Sequence, residues 1–302
     1  MNEFYDRLDE LYGAGDLAAV EAFISDAAAG ADEHSPERAG LLNELAGFYR
    51  GVSRYAESKD KFEQSLRIFE SAGMGATPEY ATVLLNLAGL YRITGDAGKA
   101  IELFSTAKRI LEGAGAADGY AYIGVLNNLA LAYKEKGEYA SALEYATRAY
   151  ELIRSGIGKE HEIATSLNNI ASIHLSLGET GAANQFISEA LEIFDAMAEP
   201  DVHHAAALTT KAVLMCRNND YIGALAYFRR AMDLTKRFFG ENIEFAICRR
   251  NISEIHERLG DIPSAVEELT DSLRVMERIL GNDHASVKSA QAKLAELESS
   301  RL

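Results

Sequence analysis

Asparagines recur in this chain at spacings of 41 or 42 residues, or twice that. They are Asn86, Asn128, Asn169 and Asn251, and Asn127 and Asn168 directly precede two of them. A side-chain amide donates and accepts hydrogen bonds at once, so it can match a peptide unit without reading the peptide's side chain. The spacing predicts a row of equivalent polar groups that can both donate and accept hydrogen bonds. A polar ladder between neighbouring helices is the alternative interpretation.

Basic residues occur on the same segments as the asparagines. On the face of these segments that carries the asparagines there are six bases and four acids, whereas the whole chain has 30 bases and 46 acids. The bases are Arg50, Arg92, Lys134, Arg217, Arg250 and Arg258, and the acids are Glu44, Glu135, Glu254 and Glu257. Arginine and lysine in a partly desolvated groove favour carboxylates, so the pattern predicts a surface that attracts an acidic ligand. Ion pairs within the protein, for example between Lys134 or Arg258 and a glutamate on the next helix, are the alternative.

Signals for catalysis or metal binding are weak. The sequence has no GxxxxGK[ST] or HExxH motif, and no histidine follows four residues after His256. His203 and His204 are adjacent, and adjacent side chains on a helix point about 100° apart, which disfavours chelation. His174 and His256 fall on an apolar stripe, and Cys216 is expected to be a small, half-buried side chain. We therefore predict no catalytic residue, no metal site and no cofactor.

The composition places the chain among soluble globular proteins. The net charge is −16, and residues 1–36 contain nine acids and one base. Because so acidic a chain is repelled by phosphates and anionic lipid, nucleic-acid and membrane partners are disfavoured. The two cysteines form no CxxC pair, and neither a signal peptide nor a long apolar run is visible. These features predict a cytoplasmic protein, while its oligomeric state stays open.

The asparagine spacing belongs to a longer repeat. The pattern Leu-Ala-x-x-Tyr occupies residues 45–49 (with Phe48 before the tyrosine), 87–91 and 129–133, and related copies occupy 170–174, 211–215 and 252–256. A residue that tolerates the left-handed conformation follows four residues after most copies, and pairs of small residues flank a bulky one further on. Both halves of the repeat have helical periodicity, and Ser35-Pro36 and Thr77-Pro78 are typical helix starts. Helix–turn–helix units of about 42 residues are therefore expected to stack.

This pattern resembles the tetratricopeptide repeat, in the long form found in kinesin light chains and their bacterial relatives. The resemblance implies an all-α, right-handed superhelical solenoid of antiparallel helix hairpins. It covers six copies in residues 36–282, preceded by a short acidic hairpin in residues 1–35 and followed by a capping helix in residues 283–302. In this family the asparagine of the first helix commonly holds the backbone of a peptide in a concave groove.

The resemblance implies a non-enzymatic scaffold that binds a peptide segment of a partner protein. The predicted ligand contacts are Asn86, Asn127, Asn128, Asn168, Asn169, Asn251, Arg92, Lys134, Arg217, Arg250 and Arg258. A peptide-signal sensor that acts through a separate effector chain and a self-assembling structural protein are the alternatives. The acidic residues 1–35 could also compete with an acidic ligand for the basic groove.

Overall fold

The computed structural model describes residues 2–157, 159–197 and 199–300. These residues form fifteen α-helices and no strand. The helices are α1 (Asn2–Ala14), α2 (Leu17–Gly30), α3 (Pro36–Gly51), α4 (Tyr55–Ser71), α5 (Pro78–Ile93), α6 (Ala97–Gly113), α7 (Tyr120–Glu135), α8 (Tyr139–Leu152), α9 (Glu160–Leu177), α10 (Thr180–Ala196), α11 (Val202–Arg217), α12 (Tyr221–Phe239), α13 (Ile243–Arg258), α14 (Ile262–Leu280) and α15 (Ala285–Ser299). The all-α class and the succession of helix hairpins predicted from the sequence are confirmed.

The turns inside the hairpins lie where the repeat predicts them. One residue in each of the six turns has a positive φ, between 62° and 91°. These residues are Ser53, Gly95, Gly137, Gly178, Asn219 and Gly260. The left-handed conformation ends the first helix and lets the chain reverse within three or four residues, so the two helices of a hairpin pack side by side.

Side-chain caps fix where the helices begin. Ser35 and Thr77 accept hydrogen bonds from backbone N–H groups in the first turns of α3 and α5, each ahead of a proline in the first turn. Asp96 caps α6 in the same way. These caps satisfy donors that have no partner inside the helix, and they confirm the two starts predicted from the Ser-Pro and Thr-Pro pairs.

The chain forms two compact units, unit 1 (Met1–Ile193) and unit 2 (Phe194–Leu302). The predicted boundaries at residues 35 and 282 concern the repeats rather than compactness, and they stay predictions. Among the described residues, no helix is both long enough and apolar enough to cross a membrane.

Small residues allow the paired helices of unit 1 to pack closely. On α6, Ala100 and Ala107 flank Phe104, and all three side chains are fully buried. On α4, serines replace the two alanines: Ser58 donates to the carbonyl oxygen of Ala46 at 2.8 Å, and Ser65 donates to that of Ala39 at 2.7 Å. A buried hydroxyl that donates to a backbone carbonyl leaves no unsatisfied donor, so serine serves as well as alanine at this position.

The acidic hairpin α1–α2 is part of the core of unit 1. Leu8, Val20 and Ile24 form one apolar cluster with residues of α3. Glu21 on α2 accepts hydrogen bonds from the hydroxyl of Tyr49 at 3.0 Å and from the guanidinium of Arg54 at 2.7 Å. Apolar burial and charge-assisted hydrogen bonds therefore both attach this hairpin to the first repeat.

Unit 2 contains the hairpins α11–α12 and α13–α14, and α15 follows them. Val287, Ala290 and Leu297 of α15 are buried in a cluster with Phe245 of α13 and Leu269 of α14. This helix therefore covers apolar surface that the last hairpin would otherwise expose, as expected of a closing helix.

Candidate functional site

The predicted ligand contacts all lie on the first helices of the hairpins. Unit 1 holds Asn86 and Arg92 on α5, Asn127, Asn128 and Lys134 on α7, and Asn168 and Asn169 on α9. Unit 2 holds Arg217 on α11 and Arg250, Asn251 and Arg258 on α13. Because the repeat places them at matching positions of successive helices, the residues within a unit occupy one face of its stack.

Two pairs of asparagines close hydrogen bonds between successive repeats in unit 1. The Nδ2 of Asn86 donates to the Oδ1 of Asn43 at 3.0 Å. The Nδ2 of Asn169 donates to the Oδ1 of Asn127 at 3.2 Å, and Ser166 donates to the same oxygen at 3.1 Å. The ladder interpretation therefore holds for Asn86, Asn127 and Asn169.

Asn128 takes no part in this ladder. Its Nδ2 donates to the carbonyl oxygen of Gly124, one turn earlier on the same helix, at 2.9 Å. In the repeat that precedes Asn128, Leu85 occupies the position that Asn43 has in its own repeat. The side chain of Leu85 borders Gly124 and cannot accept a hydrogen bond. Asn128 therefore lacks a partner on the preceding repeat and can turn toward a ligand at the cost of one local hydrogen bond.

Asn168 carries a buried oxygen without a donor. Its side chain is 8% exposed, and its Oδ1 accepts no hydrogen bond from the described residues. The hydroxyl oxygen of Thr165, one turn earlier on α9, is likewise buried and forms no hydrogen bond with the described residues. A buried acceptor left without a donor costs about 1–3 kcal/mol, so both groups favour a donor brought by a ligand or by water.

Three cations at one register of unit 1 each reach the next first helix. Arg50 donates to the carbonyl oxygen of Asn86 at 3.0 Å. Arg92 forms an ion pair with Glu135 at 2.5 Å, so the ion-pair alternative is correct for this residue. Lys134 donates to the hydroxyl of Ser172 at 3.3 Å.

Lys134 differs from Arg92 in that it forms no ion pair within the part of the chain that the structure describes. Burial lowers the pKa of its ammonium, Glu135 partly opposes the shift, and Arg92 adds to it. A carboxylate that approached Lys134 would favour its charged form and gain a partly desolvated ion pair. This amine is therefore a candidate anion contact on the face of unit 1.

In unit 2 two of the three predicted basic residues border an open cleft of about 690 Å³ between α13 and α15. Arg250, Arg258 and Lys293 line it together with Glu254 and Glu257. Lys293 and Glu257 form an ion pair at 2.7 Å, which joins α15 to α13. The Nε of Arg250 is buried and donates to no acceptor in the described ranges.

The remaining predicted residues of unit 2 are less engaged. Asn251 is half-buried on α13, and Arg217 is exposed at the end of α11. The guanidinium of Arg258 lies 6.0 Å from the ring centroid of Tyr221, whereas the alternative had paired it with a glutamate. These geometries leave the cations of unit 2 available to anions.

Two serines of the site, Ser166 and Ser172, were not predicted from the sequence. Both lie three residues from Asn169, on either side, so the helical spacing placed them on its face. Ser166 reinforces the closed ladder, and Ser172 holds Lys134 without neutralising it. The identity of each partner follows from side-chain length and rotamer, which the repeat pattern does not contain.

The histidines and cysteines described here pack against neighbouring side chains and do not cluster into a site. The ring of His174 stacks on Phe186, as expected from its place on the apolar stripe. His204 is buried against Phe194, and burial lowers its pKa. Burial likewise raises the pKa of the Cys216 thiol. Across the described residues, no three His, Cys, Asp or Glu side chains are grouped so as to hold a metal ion.

A family model described as a tetratricopeptide repeat matches most of the sequence. Its three matches cover residues 37–113, 122–196 and 203–278. No curated protein matches the chain in sequence.

Several solved structures share the fold. The crystal structure of NprR in complex with its cognate peptide NprX is 16% identical, with 97% of this chain and 86% of that chain covered and a TM-score of 0.66. A Rap protein complexed with Competence and Sporulation Factor is 15% identical, with 98% and 99% covered and a TM-score of 0.59. BtubC (BKLC) from P. vanneervenii is 21% identical, with 78% and 92% covered and a TM-score of 0.53.

Proposed function

This chain belongs to the tetratricopeptide repeat family, and from that premise we propose that it is a non-enzymatic scaffold that holds a peptide segment of a partner protein. The family match confirms the resemblance seen in the sequence. The peptide lies along the first helices of unit 1, where the amide row and Lys134 share one face. The observation that supports this proposal most directly is that some asparagines of the row are paired with each other while Asn128 and Asn168 are not.

Asn128 and Asn168 are the amides that contact the ligand. The two asparagines of each pair, Asn43–Asn86 and Asn127–Asn169, already form a hydrogen bond with each other, so a ligand gains little from them. Asn128 has only a local hydrogen bond, and the Oδ1 of Asn168 is without a donor among the described side chains and backbone. A peptide backbone supplies both the donor and the acceptor that these amides need.

The ligand is acidic near Lys134. Burial of this ammonium beside a neutral hydroxyl gives it more to gain from a carboxylate than Arg92 has, because Glu135 already neutralises Arg92. The net charge of −16 disfavours nucleic acid as the partner. A protein partner and a cytoplasmic location accord with this charge and with the cysteine usage.

Two similar structures support a peptide ligand. The NprR structure contains its cognate peptide, and the Rap structure contains Competence and Sporulation Factor. A sensor of peptide signals, the alternative drawn from the sequence, would use the same face, so one experiment tests both roles.

The experiment selects ligands from a random peptide library on the purified protein and measures their affinity by calorimetry. The combined variant Asn128→Ala/Asn168→Leu removes the two open amides, that is, the two that are not paired with another asparagine. Leucine is chosen at position 168 because Leu85 occupies the equivalent position two repeats earlier. We expect it to weaken binding at least about tenfold, since each lost ligand hydrogen bond is worth roughly 1 kcal/mol.

Asn86→Ala is the matched control, because it removes an amide that is already paired. It should change the affinity less than about threefold while it lowers the stability of unit 1. Equal losses in both variants, or no selected peptide, would contradict the proposal. Replacing Lys134 with Gln should reduce affinity most for the selected peptides that carry acids.

A further inference from the structure

Lys293 on the closing helix α15 occupies a position that belongs to the amide row in the earlier repeats. Glu257 on α13 contacts it, and the two residues are 36 positions apart. The equivalent of Glu257 in the first repeat is Arg50, which contacts the backbone of Asn86 at the same separation of 36. Lys293 therefore stands to α13 as Asn86 stands to α3.

Two cations replace the asparagine pair at this end of the chain. Asn86 donates to Asn43, which lies 43 residues earlier. The residue 43 positions before Lys293 is Arg250. Neither an ammonium nor a guanidinium can accept a hydrogen bond, so these two side chains cannot pair as the asparagines do. The buried Nε of Arg250 accordingly has no acceptor among the described residues.

The space beside these cations is large enough for a ligand. Arg250 and Lys293 both line the cleft between α13 and α15, and its volume of about 690 Å³ lies in the range of ligand sites. The buried side chains of Leu269 and Ala290 line it as well. The cleft therefore offers room for a group that reaches both cations, with apolar surface next to it.

The charges that line the cleft favour an anion. Three positive side chains and two negative ones line it, in a chain whose net charge is −16. They are Arg250, Arg258 and Lys293, and Glu254 and Glu257. Glu257 is paired with Lys293 at 2.7 Å, and Glu254 is exposed, so water screens its charge. Glu296 also contacts Lys293, at 3.2 Å, but it is 65% exposed and does not line the cleft.

We propose that this cleft of unit 2 binds a carboxylate of a peptide ligand, at a site separate from the amide row of unit 1. The carboxylate bridges Arg250 and Lys293, and it supplies the acceptor that the buried Nε lacks. Its two oxygens match the fork of donors that a guanidinium presents. A phosphate fits less well, because its second negative charge would lie beside Glu254 and Glu257.

Three N-acetylated peptides of one length test the site, and all contain the same leucine. The first has one glutamate and an amidated end, the second has glutamine in its place and a free terminal carboxylate, and the third has glutamine and an amidated end. Titrations into the full chain are followed by NMR of the arginine Nε–H groups. We expect a saturable shift of Arg250 with a carboxylate peptide and an affinity at least about tenfold lower for the neutral one. The tighter of the two carboxylate peptides identifies a side chain or a chain end as the source.

Neighbouring arginines provide matched variants. Arg250→Gln removes the guanidinium and leaves the contacts of α15 in place, and it should weaken the carboxylate peptide about tenfold. Arg249→Gln is the control, because Arg249 already forms ion pairs with Glu268 at 2.7 Å and with Asp271 at 3.0 Å. This control should leave the affinity unchanged.

Two further variants change the site in opposite directions. Arg250→Asn/Lys293→Asn introduces the asparagine pair of the first repeats, so it should abolish the preference for a carboxylate, and circular dichroism checks that it folds. Glu254→Gln removes the exposed acid that repels the ligand. It should strengthen the carboxylate peptide about two- to fivefold and leave the neutral peptide unchanged.

Three outcomes would overturn the proposal. They are the absence of a saturable shift at the Nε–H of Arg250 with both carboxylate peptides, equal affinity for the carboxylate and neutral peptides, and equal losses in Arg250→Gln and Arg249→Gln.

Discussion

Whether an asparagine of the row is paired depends on one side chain of the preceding repeat. Asn43 accepts from Asn86, and Asn127 accepts from Asn169, whereas Leu85 offers Asn128 no acceptor. The sequence predicted the row, because the spacing is regular. It could not predict which asparagines are hydrogen-bonded to the preceding repeat, since that depends on a contact between side chains about 42 residues apart.

This contact can be added by a single substitution. Leu85→Asn recreates the pair found in the neighbouring repeats, so the Nδ2 of Asn128 should leave the carbonyl of Gly124 and donate across the repeats. We expect the affinity for a selected peptide to fall at least about fivefold, because the open amide becomes occupied. The free energy of unfolding should change by less than about 2 kcal/mol, since one hydrogen bond replaces a half-buried leucine.

Calorimetry and urea denaturation of the same variant separate the two effects. Unchanged affinity in a variant that folds normally would remove Asn128 from the ligand contacts. Leu85→Ala is the control, because it shortens the side chain without offering an acceptor.

At the scale of helices, the repeat pattern predicted most of what the structure contains. The left-handed turn residues, the serine and threonine caps and the small–bulky–small core residues all follow from local chemistry. The kink in the segment Ile153–Ile157 after α8, where Gly156 has a non-helical φ of 108°, did not follow from it. The pattern ends before this segment, and its conformation depends on how α8 joins α9.

Close packing at the start of α12 gives a prediction at this scale. A Cβ at Gly223 would lie 2.2 Å from the Cε of Met215 and 2.6 Å from the Oδ2 of Asp220. The methionine end can move, but Asp220 is the cap of α12 and has less freedom. Gly223→Ala should therefore lower the free energy of unfolding of unit 2 by about 1–2 kcal/mol.

Gly98→Ala provides the comparison. A Cβ there meets only the Oδ1 of Asp96, at an ordinary 3.7 Å, so the change should be neutral or stabilise by up to about 1 kcal/mol. Thermal unfolding of the two variants side by side checks the difference. A Gly223→Ala protein as stable as Gly98→Ala would mean that the cap of α12 adjusts without cost.

At the scale of the whole molecule, the charge is distributed unevenly. Half of the net charge lies in residues 1–36, and the hairpin that contains most of them packs on α3 through Leu8, Val20 and Ile24. The hydroxyl of Tyr5 also reaches Glu44 at 3.5 Å, and burial raises the pKa of that carboxyl. The acidic hairpin is thus engaged with the first repeat, and its competition with a ligand stays a prediction. The division into two compact units was not predicted, because the repeat continues across it.

The central claim is that the open amides of unit 1 hold a peptide. Its most direct test is NMR of the asparagine side-chain amides during titration with a peptide selected from the random library. We expect the largest shifts at Asn128 and Asn168 and small shifts at the paired Asn43 and Asn86. Saturable binding that leaves Asn128 and Asn168 unshifted, or that shifts the paired amides most, would contradict it.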